Sequence, residues 1–204
     1  MTAFSRRDLL AIAAALAAPP AFAQAPSAAA AETTPVALTT PLGRVVVALE
    51  TKRAPITSAN FLHYVDRKLY DGARFYRASR PPNATTDDYG LVQGGLQNDP
   101  KKVLPPIAHE STAKTGLSHV DGTISMGRHA PGTAQADWFI CIGDQTYLDA
   151  DARQPGFAAF GRVTEGMEVL KKILAAPVDP TQGEGAMKGE MLKAPVPITS
   201  ARRV

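Results

Sequence analysis

VALTTPLGRVVVAL, residues 36–49, reads as two extended runs around a turn. Residues 36–40 and 44–49 are rich in Val, Leu and Thr, and Pro41-Leu42-Gly43 between them supplies a fixed φ followed by a glycine. A β-hairpin is expected. Downstream, Ile56, Phe61, Leu62, Val65 and Leu69 recur at helical spacing, which predicts a helix over 55–68 with Thr57 or Ser58 as N-cap and Gly72 closing the far end. A second helix is signalled by TEGMEVLKKILAAP, residues 164–177, where Met167, Leu170, Ile173 and Leu174 share a face. Lys171 and Lys172 there favour the negative end of the helix dipole, and Pro177 stops the helix. Short strand-like runs broken by Gly and Pro fill 74–77, 90–93, 122–126, 138–142 and 157–163, with a last strand signal at 196–200. About eight short strands and two helices predict a mainly β fold, a closed barrel whose ends the helices cover.

The N-terminal residues 1–23 have the grammar of a secretory signal: a basic start, the apolar run 9–18, and Ala21-Phe22-Ala23 as a small-x-small cleavage site. The apolar run is about half of the roughly 20 residues a membrane span needs, and Pro19-Pro20 interrupts it, so no membrane anchor is expected after cleavage. Ser5-Arg6-Arg7-Asp8-Leu9-Leu10 resembles the twin-arginine export motif, although an ordinary Sec signal would use the same arginines as plain charge. Either route makes the protein periplasmic. Residues 24–35 read as a linker and 36–204 as one domain. The formal net charge is only +3, with Arg6 and Arg7 in the leader, so nucleic acid is not an implied partner. The single Cys141 offers no internal disulfide, and the domain must rest on its core.

A specific order of short motifs then emerges. Gly43-Arg44 is followed by Pro55, Thr57, Asn60 and Phe61, then Phe75-Tyr76-Arg77, then Val92-Gln93-Gly94-Gly95. Gly122-Thr123-Ile124-Ser125-Met126, Trp138-Phe139-Ile140-Cys141, Leu148-Asp149 and Phe160-Gly161-Arg162-Val163 come next, before Glu165-Gly166-Met167. In this order they resemble the cyclophilins over nearly the whole chain from Val36 to about Ser200. The resemblance implies a cyclophilin-like closed eight-stranded antiparallel barrel capped by two α-helices. It also implies a peptidyl-prolyl cis/trans isomerase, or rotamase, that assists the folding of exported proteins. Proline-containing polypeptides would be its substrates, with no cofactor, no metal and a monomeric domain. A module that binds the same peptides as a chaperone without catalysis is the alternative.

By the same resemblance, Arg77 is the catalytic cation, and Gln93 hydrogen-bonds substrate and steadies the arginine. Phe139, Leu148 and Leu91 wall the proline pocket, and Met126 joins the substrate-binding set. Several positions depart from the family. Gly90 stands where a pocket phenylalanine is usual, and the segment 78–89 is about eight residues longer, so Tyr89 or a residue of 81–88 is expected to fold back as the missing wall. Asp137 replaces a glutamine and is expected to pair with Arg77, Tyr147 replaces a tryptophan, and Phe157 replaces a rim histidine while keeping the pocket apolar. His63, His109, His119 and His129 lie at no i, i+3 or i, i+4 spacing and are read as separate surface or satisfied residues. Ser125 and His129 lack a Gly-x-Ser-x-Gly elbow and make no hydrolase, and Cys141 reads as a buried small hydrophobe.

Overall fold

A computed structural model describes residues 33–81, 88–97 and 99–204. The expected signal segment 1–23, most of the expected linker 24–35 and residues 82–87 lie outside these. The hairpin is β1 (Thr34–Thr40) and β2 (Gly43–Leu49), paired antiparallel with Thr40 opposite Gly43. The strands that follow are β3 (Arg74–Ser79), β4 (Gly90–Gly95), β5 (Thr123–Met126), β6 (Trp138–Ile142), β7 (Ala158–Glu165), β8 (Val178–Asp179), β9 (Met191–Pro197) and β10 (Ser200–Arg203). They form one sheet in the order β10-β1-β2-β7-β5-β6-β4-β3-β9-β8.

Only Ile198 and Thr199 separate β9 from β10, yet β9 pairs with β3 and β10 with β1. The amide of Ile198 donates to Ala73 O and that of Thr199 to Thr39 O, so the chain changes partner within two residues. β9 and β10 are two halves of one strand that joins the β3 side of the sheet to the β1 side; counting them once and leaving out the two-residue β8 at the margin gives the eight strands of the expected barrel. The strand signal at 196–200 falls across this change of partner: Ile198 and Thr199 connect two strands instead of lying within one.

Helix α1 (Pro55–Asp66) packs against β7 and β10, and α3 (Met167–Ala175) against β2, β3 and β4; among the described residues a single-turn α2 (Thr112–Thr115) adds an α-helix that was not expected. The N-cap of α1 is Ala54, which has no side chain to cap with, and neither Thr57 nor Ser58 fills that place. Pro55 at the first turn has no N–H to satisfy. The carboxylate of buried Glu110 instead accepts from Ile56 N at 3.2 Å, Thr57 N at 2.7 Å and the Thr57 hydroxyl at 2.7 Å. An anion at a helix N-terminus is stabilised both by free N–H groups and by the dipole. The far end closes earlier than Gly72, at Arg67, with Lys68 turning the chain at φ 56°.

The core centres on Trp138, fully buried, with Phe75 edge-on at 5.2 Å, Phe61 at 6.1 Å and Tyr70 at 6.4 Å between ring centroids. Met126 belongs to this core too. Strand side chains alternate between faces, so on β5 the inward pair Ile124 and Met126 turns Ser125 outward. Met126, opposite Trp138 and fully buried, is therefore a core residue and does not reach substrate.

Gly90 shows why the aromatic wall is missing at its position. Its φ is +148°, and a Cβ there would run into the carbonyl oxygen of Ser79 and lie 3.1 Å from Leu174 Cδ1 of α3. The position faces backbone and helix. A Gly90→Phe substitution, which restores the side chain usual in the family, is expected to lower unfolding free energy by about 2–5 kcal/mol through overpacking and backbone strain. Urea denaturation monitored by Trp138 fluorescence checks this, and a stability equal to the parent would refute it.

Candidate active site

One row of side chains crosses four adjacent strands on the outer face of the sheet. Arg77 on β3 lies opposite Gln93 on β4, Gln93 opposite Phe139 on β6, and Phe139 opposite Ser125 on β5. Directly opposed residues in antiparallel strands point to the same face. Arg77 reaches that face because of a bulge. Phe75 pairs with Gly94 and Arg77 with the adjacent Gln93, so Tyr76 is an extra residue on β3. Strict alternation would have sent Arg77 inward with Phe75, and the extra residue reverses the phase.

The bulged Tyr76 is buried, and its hydroxyl accepts from Gln93 Nε2 at 2.7 Å. Burial, and next the negative charge of Asp137 to which the phenol is hydrogen-bonded, push the Tyr76 pKa far up, so it stays a donor. Asp137 Oδ1 also accepts from Gln97 N at 2.8 Å. Gln93 Oε1 accepts from Arg77 Nη1 at 2.7 Å. Gln93 is thus engaged at both ends of its amide, and the chain Arg77–Gln93–Tyr76–Asp137 makes it chiefly an orienting residue.

Asp137 is not the carboxylate on Arg77. That place is taken by Glu190, whose Oε2 accepts from Arg77 Nε at 2.8 Å and lies 2.6 Å from Nη2. Asp137, 7% exposed and bound to Gln97 N, supports the row from one link behind it.

Phe139 floors an apolar patch. Phe157 stands edge-on to it with centroids 5.4 Å apart, and Arg128 lies over the Phe157 ring with Cζ 4.7 Å from its centroid. Half-buried Leu91 sits two pairs further along β4, opposite Cys141, and so on the same face as Gln93. Half-buried Leu148 ends the 3₁₀ turn Thr146–Leu148, and its carbonyl accepts from Phe157 N at 3.0 Å, which ties that turn to the patch. Tyr147 on the same turn is 60% exposed, and its hydroxyl donates to Gln145 Oε1 at 2.9 Å. Tyr89 is also partly exposed and packs on Gly143, and its phenol lies near enough to perturb that of Tyr147. Tyr89 thus lies at the rim beside Gly143 and Tyr147, and residues 82–87, the other candidates for the missing wall, lie outside the described residues. Cys141 is sealed: burial first, then the charges of Asp149 and Asp121, push its thiol up to about 12.

Beneath Phe139 lies a network that sequence spacing did not connect. The His119 ring stacks on Phe139 with centroids 5.9 Å apart. His119 Nδ1 is 2.6 Å from Asp149 Oδ1 and Nε2 is 2.9 Å from Ser125 Oγ. A carboxylate only accepts, so Nδ1 carries the proton. Burial lowers the His119 pKa more than Asp149 raises it, which leaves the ring neutral with Nε2 accepting from Ser125. Burial opposes ionisation of Asp149, but hydrogen bonds from Ser118, the His119 ring and His119 N together hold its carboxyl below the usual range. His119 and Ser125 are both fully buried, so this array positions Phe139 and offers no nucleophile.

Residues 35–203 match the family described as cyclophilin type peptidyl-prolyl cis-trans isomerase/CLD. The chain is 33% identical over 162 residues to a peptidyl-prolyl cis-trans isomerase of Acinetobacter baylyi, covering 79% of this chain and 80% of that protein. It is 31% identical over 135 residues to peptidyl-prolyl cis-trans isomerase B of Escherichia coli, covering 64% and 78%. A crystal structure of a Cryptosporidium parvum cyclophilin type peptidyl-prolyl cis-trans isomerase superposes with TM-score 0.68 at 18% identity, covering 85% of this chain and 98% of that one. The C. parvum crystal structure in the presence of the dipeptide Ala-Pro superposes with TM-score 0.66.

Proposed function

The chain belongs to the cyclophilin-type peptidyl-prolyl cis-trans isomerases and acts on Xaa-Pro peptide bonds, and from that premise we propose that Arg77 supplies the cation for the reaction. The observation that carries this reading is the row Arg77, Gln93, Phe139, which sets an oriented guanidinium beside an apolar floor. Rotation about an Xaa-Pro bond crosses a barrier of about 18–20 kcal/mol because the amide must give up its resonance. At the twisted state the imide nitrogen becomes pyramidal and regains a lone pair that a cationic N–H can meet. Phe139, Phe157, Leu91 and Leu148 hold the proline ring, and a donor fixed in advance favours the twisted state over either planar one. No bond breaks, and a monomeric domain is part of the same proposal.

The test is exchange between cis and trans in short Xaa-Pro peptides. Line broadening that grows with protein concentration is the expected result. Peptide binding without acceleration would leave the non-catalytic chaperone module in its place.

We further propose that the protein is exported to the periplasm, where its clients are unfolded exported chains; the signal grammar of residues 1–23 supports this. Expressed with its own N-terminus in a bacterium, the protein is expected in the periplasmic fraction with Gln24 as first residue. Changing Arg6 and Arg7 to lysine is expected to trap it in the cytoplasm if the twin-arginine route carries it. Retention of residues 1–23 on a cytoplasmic product in the parent would defeat the export proposal.

A further inference from the structure

We infer that Glu190 is a positioning residue for Arg77, an inference that rests on the isomerase reading of the groove. Glu190 comes from the segment entering β9, 113 residues from Arg77 in the chain. Two backbone features deliver it. Met191 pairs with Arg77 across β3 and β9, and the carbonyl of Glu190 accepts from Ala78 N at 3.0 Å. The pairing then shifts, since Phe75 lies opposite Val196, so the intervening part of β9 bulges away while Glu190 stays anchored beside the arginine.

The carboxylate is itself held. Its Oε1 accepts from the Ser79 hydroxyl at 2.7 Å, and its Oε2 takes Arg77 Nε and Nη2. Gln93 holds Nη1. The guanidinium is thereby held on two sides, with Nε and Nη1 committed as donors and Nη2 in ion-pair contact with the carboxylate. With 16% of the arginine and 24% of the glutamate side chain exposed, the pair is shielded from the water that weakens surface ion pairs.

A carboxylate here could orient the cation or dilute its charge. Orientation dominates for this reaction, because the twisted amide acquires a directed lone pair and no net charge. A guanidinium free to swing meets that lone pair less often, and the loss appears in the turnover step while the proline pocket continues to bind.

The experiment compares the full-length parent with Glu190→Ala, Glu190→Gln, Arg77→Ala and the double variant Arg77→Ala/Glu190→Ala. Glu190→Ala is expected to lower kcat about tenfold with KM changed less than about twofold, the pattern of an interaction used in the transition state. Glu190→Gln keeps a carbonyl that accepts from Nε and is expected to recover kcat to within about threefold of the parent. In the Arg77→Ala background the glutamate change is expected to add nothing. The NMR resonance of Arg77 Nε–H provides a readout independent of catalysis: sharp and slowly exchanging in the parent, lost in Glu190→Ala. If Arg77→Ala cripples the enzyme while Glu190→Ala retains or exceeds the parental kcat, the inference falls and the isomerase reading stands. If the parent shows no acceleration, that reading falls, and the Nε–H resonance alone decides whether Glu190 holds the arginine: a signal unchanged in Glu190→Ala overturns it.

Discussion

Arg77→Ala lowers kcat/KM for Xaa-Pro isomerisation by about a hundredfold or more, the scale seen when one preorganised donor to a transition state is removed. The change takes away the donor and leaves Gln93 Oε1 and the Glu190 carboxylate without their shared partner. Arg77→Lys separates charge from geometry. A lysine brings three donors on a single nitrogen at the end of a flexible stem and lacks the planar fork that holds Gln93 and Glu190 on separate nitrogens. The lysine variant is therefore expected to remain at least tenfold below the parent despite its positive charge. Magnetisation exchange between cis and trans resonances of a test peptide gives both rates. A loss smaller than about threefold in Arg77→Ala would remove Arg77 from the reaction and return the groove to a binding role.

The elements that sequence reading located are those decided locally. The β1–β2 hairpin follows from turn chemistry and β-rich flanks, and α3 from an apolar stripe ended by Pro177. The kink at Ile198–Thr199 was hidden because its cause is a change of partner from β3 to β1, which no local pattern carries. Arg77, Gln93 and Phe139 were legible through their motifs. Glu190 was not, since KGEMLK has no pattern that points to an arginine so far back in the chain. Met126 was a different kind of miss. Ile124 and Met126 flank Ser125 in strict alternation, and the apolar pair belongs inward, so the phase of β5 was available in the sequence. The same rule applied to β3 would have buried Arg77, because it cannot foresee the bulge at Tyr76.

A large stability effect is also expected at Asp149. Its carboxylate accepts from His119 Nδ1, His119 N and the Ser118 hydroxyl, and His119 in turn accepts from Ser125 directly under Phe139. Asp149→Ala leaves three donors without their acceptor in a largely dry site, with an expected loss of about 2–4 kcal/mol of unfolding free energy. The same network sets an acid limit. Burial depresses the His119 pKa in the folded protein relative to the unfolded value of about 6.5, so its contribution is fully present above that pH and declines as pH falls below it. Asp149 is depressed as well, and its contribution is lost in the same direction, but only at lower pH, below the unfolded carboxylate value of about 3.9. The melting temperature of the parent is expected to hold near neutrality and fall from about pH 6.5 downward, and His119→Gln to flatten the upper part of that fall. Because His119 and Phe139 are stacked, protonation of the ring also disturbs the floor that receives proline, so kcat/KM should decline over the same window. Thermal melts at half-unit steps from pH 7.5 to 4.5 measure the first effect and peptide exchange the second. A parent whose melting temperature is flat throughout would show that the neutral imidazole contributes nothing to holding Phe139 in place.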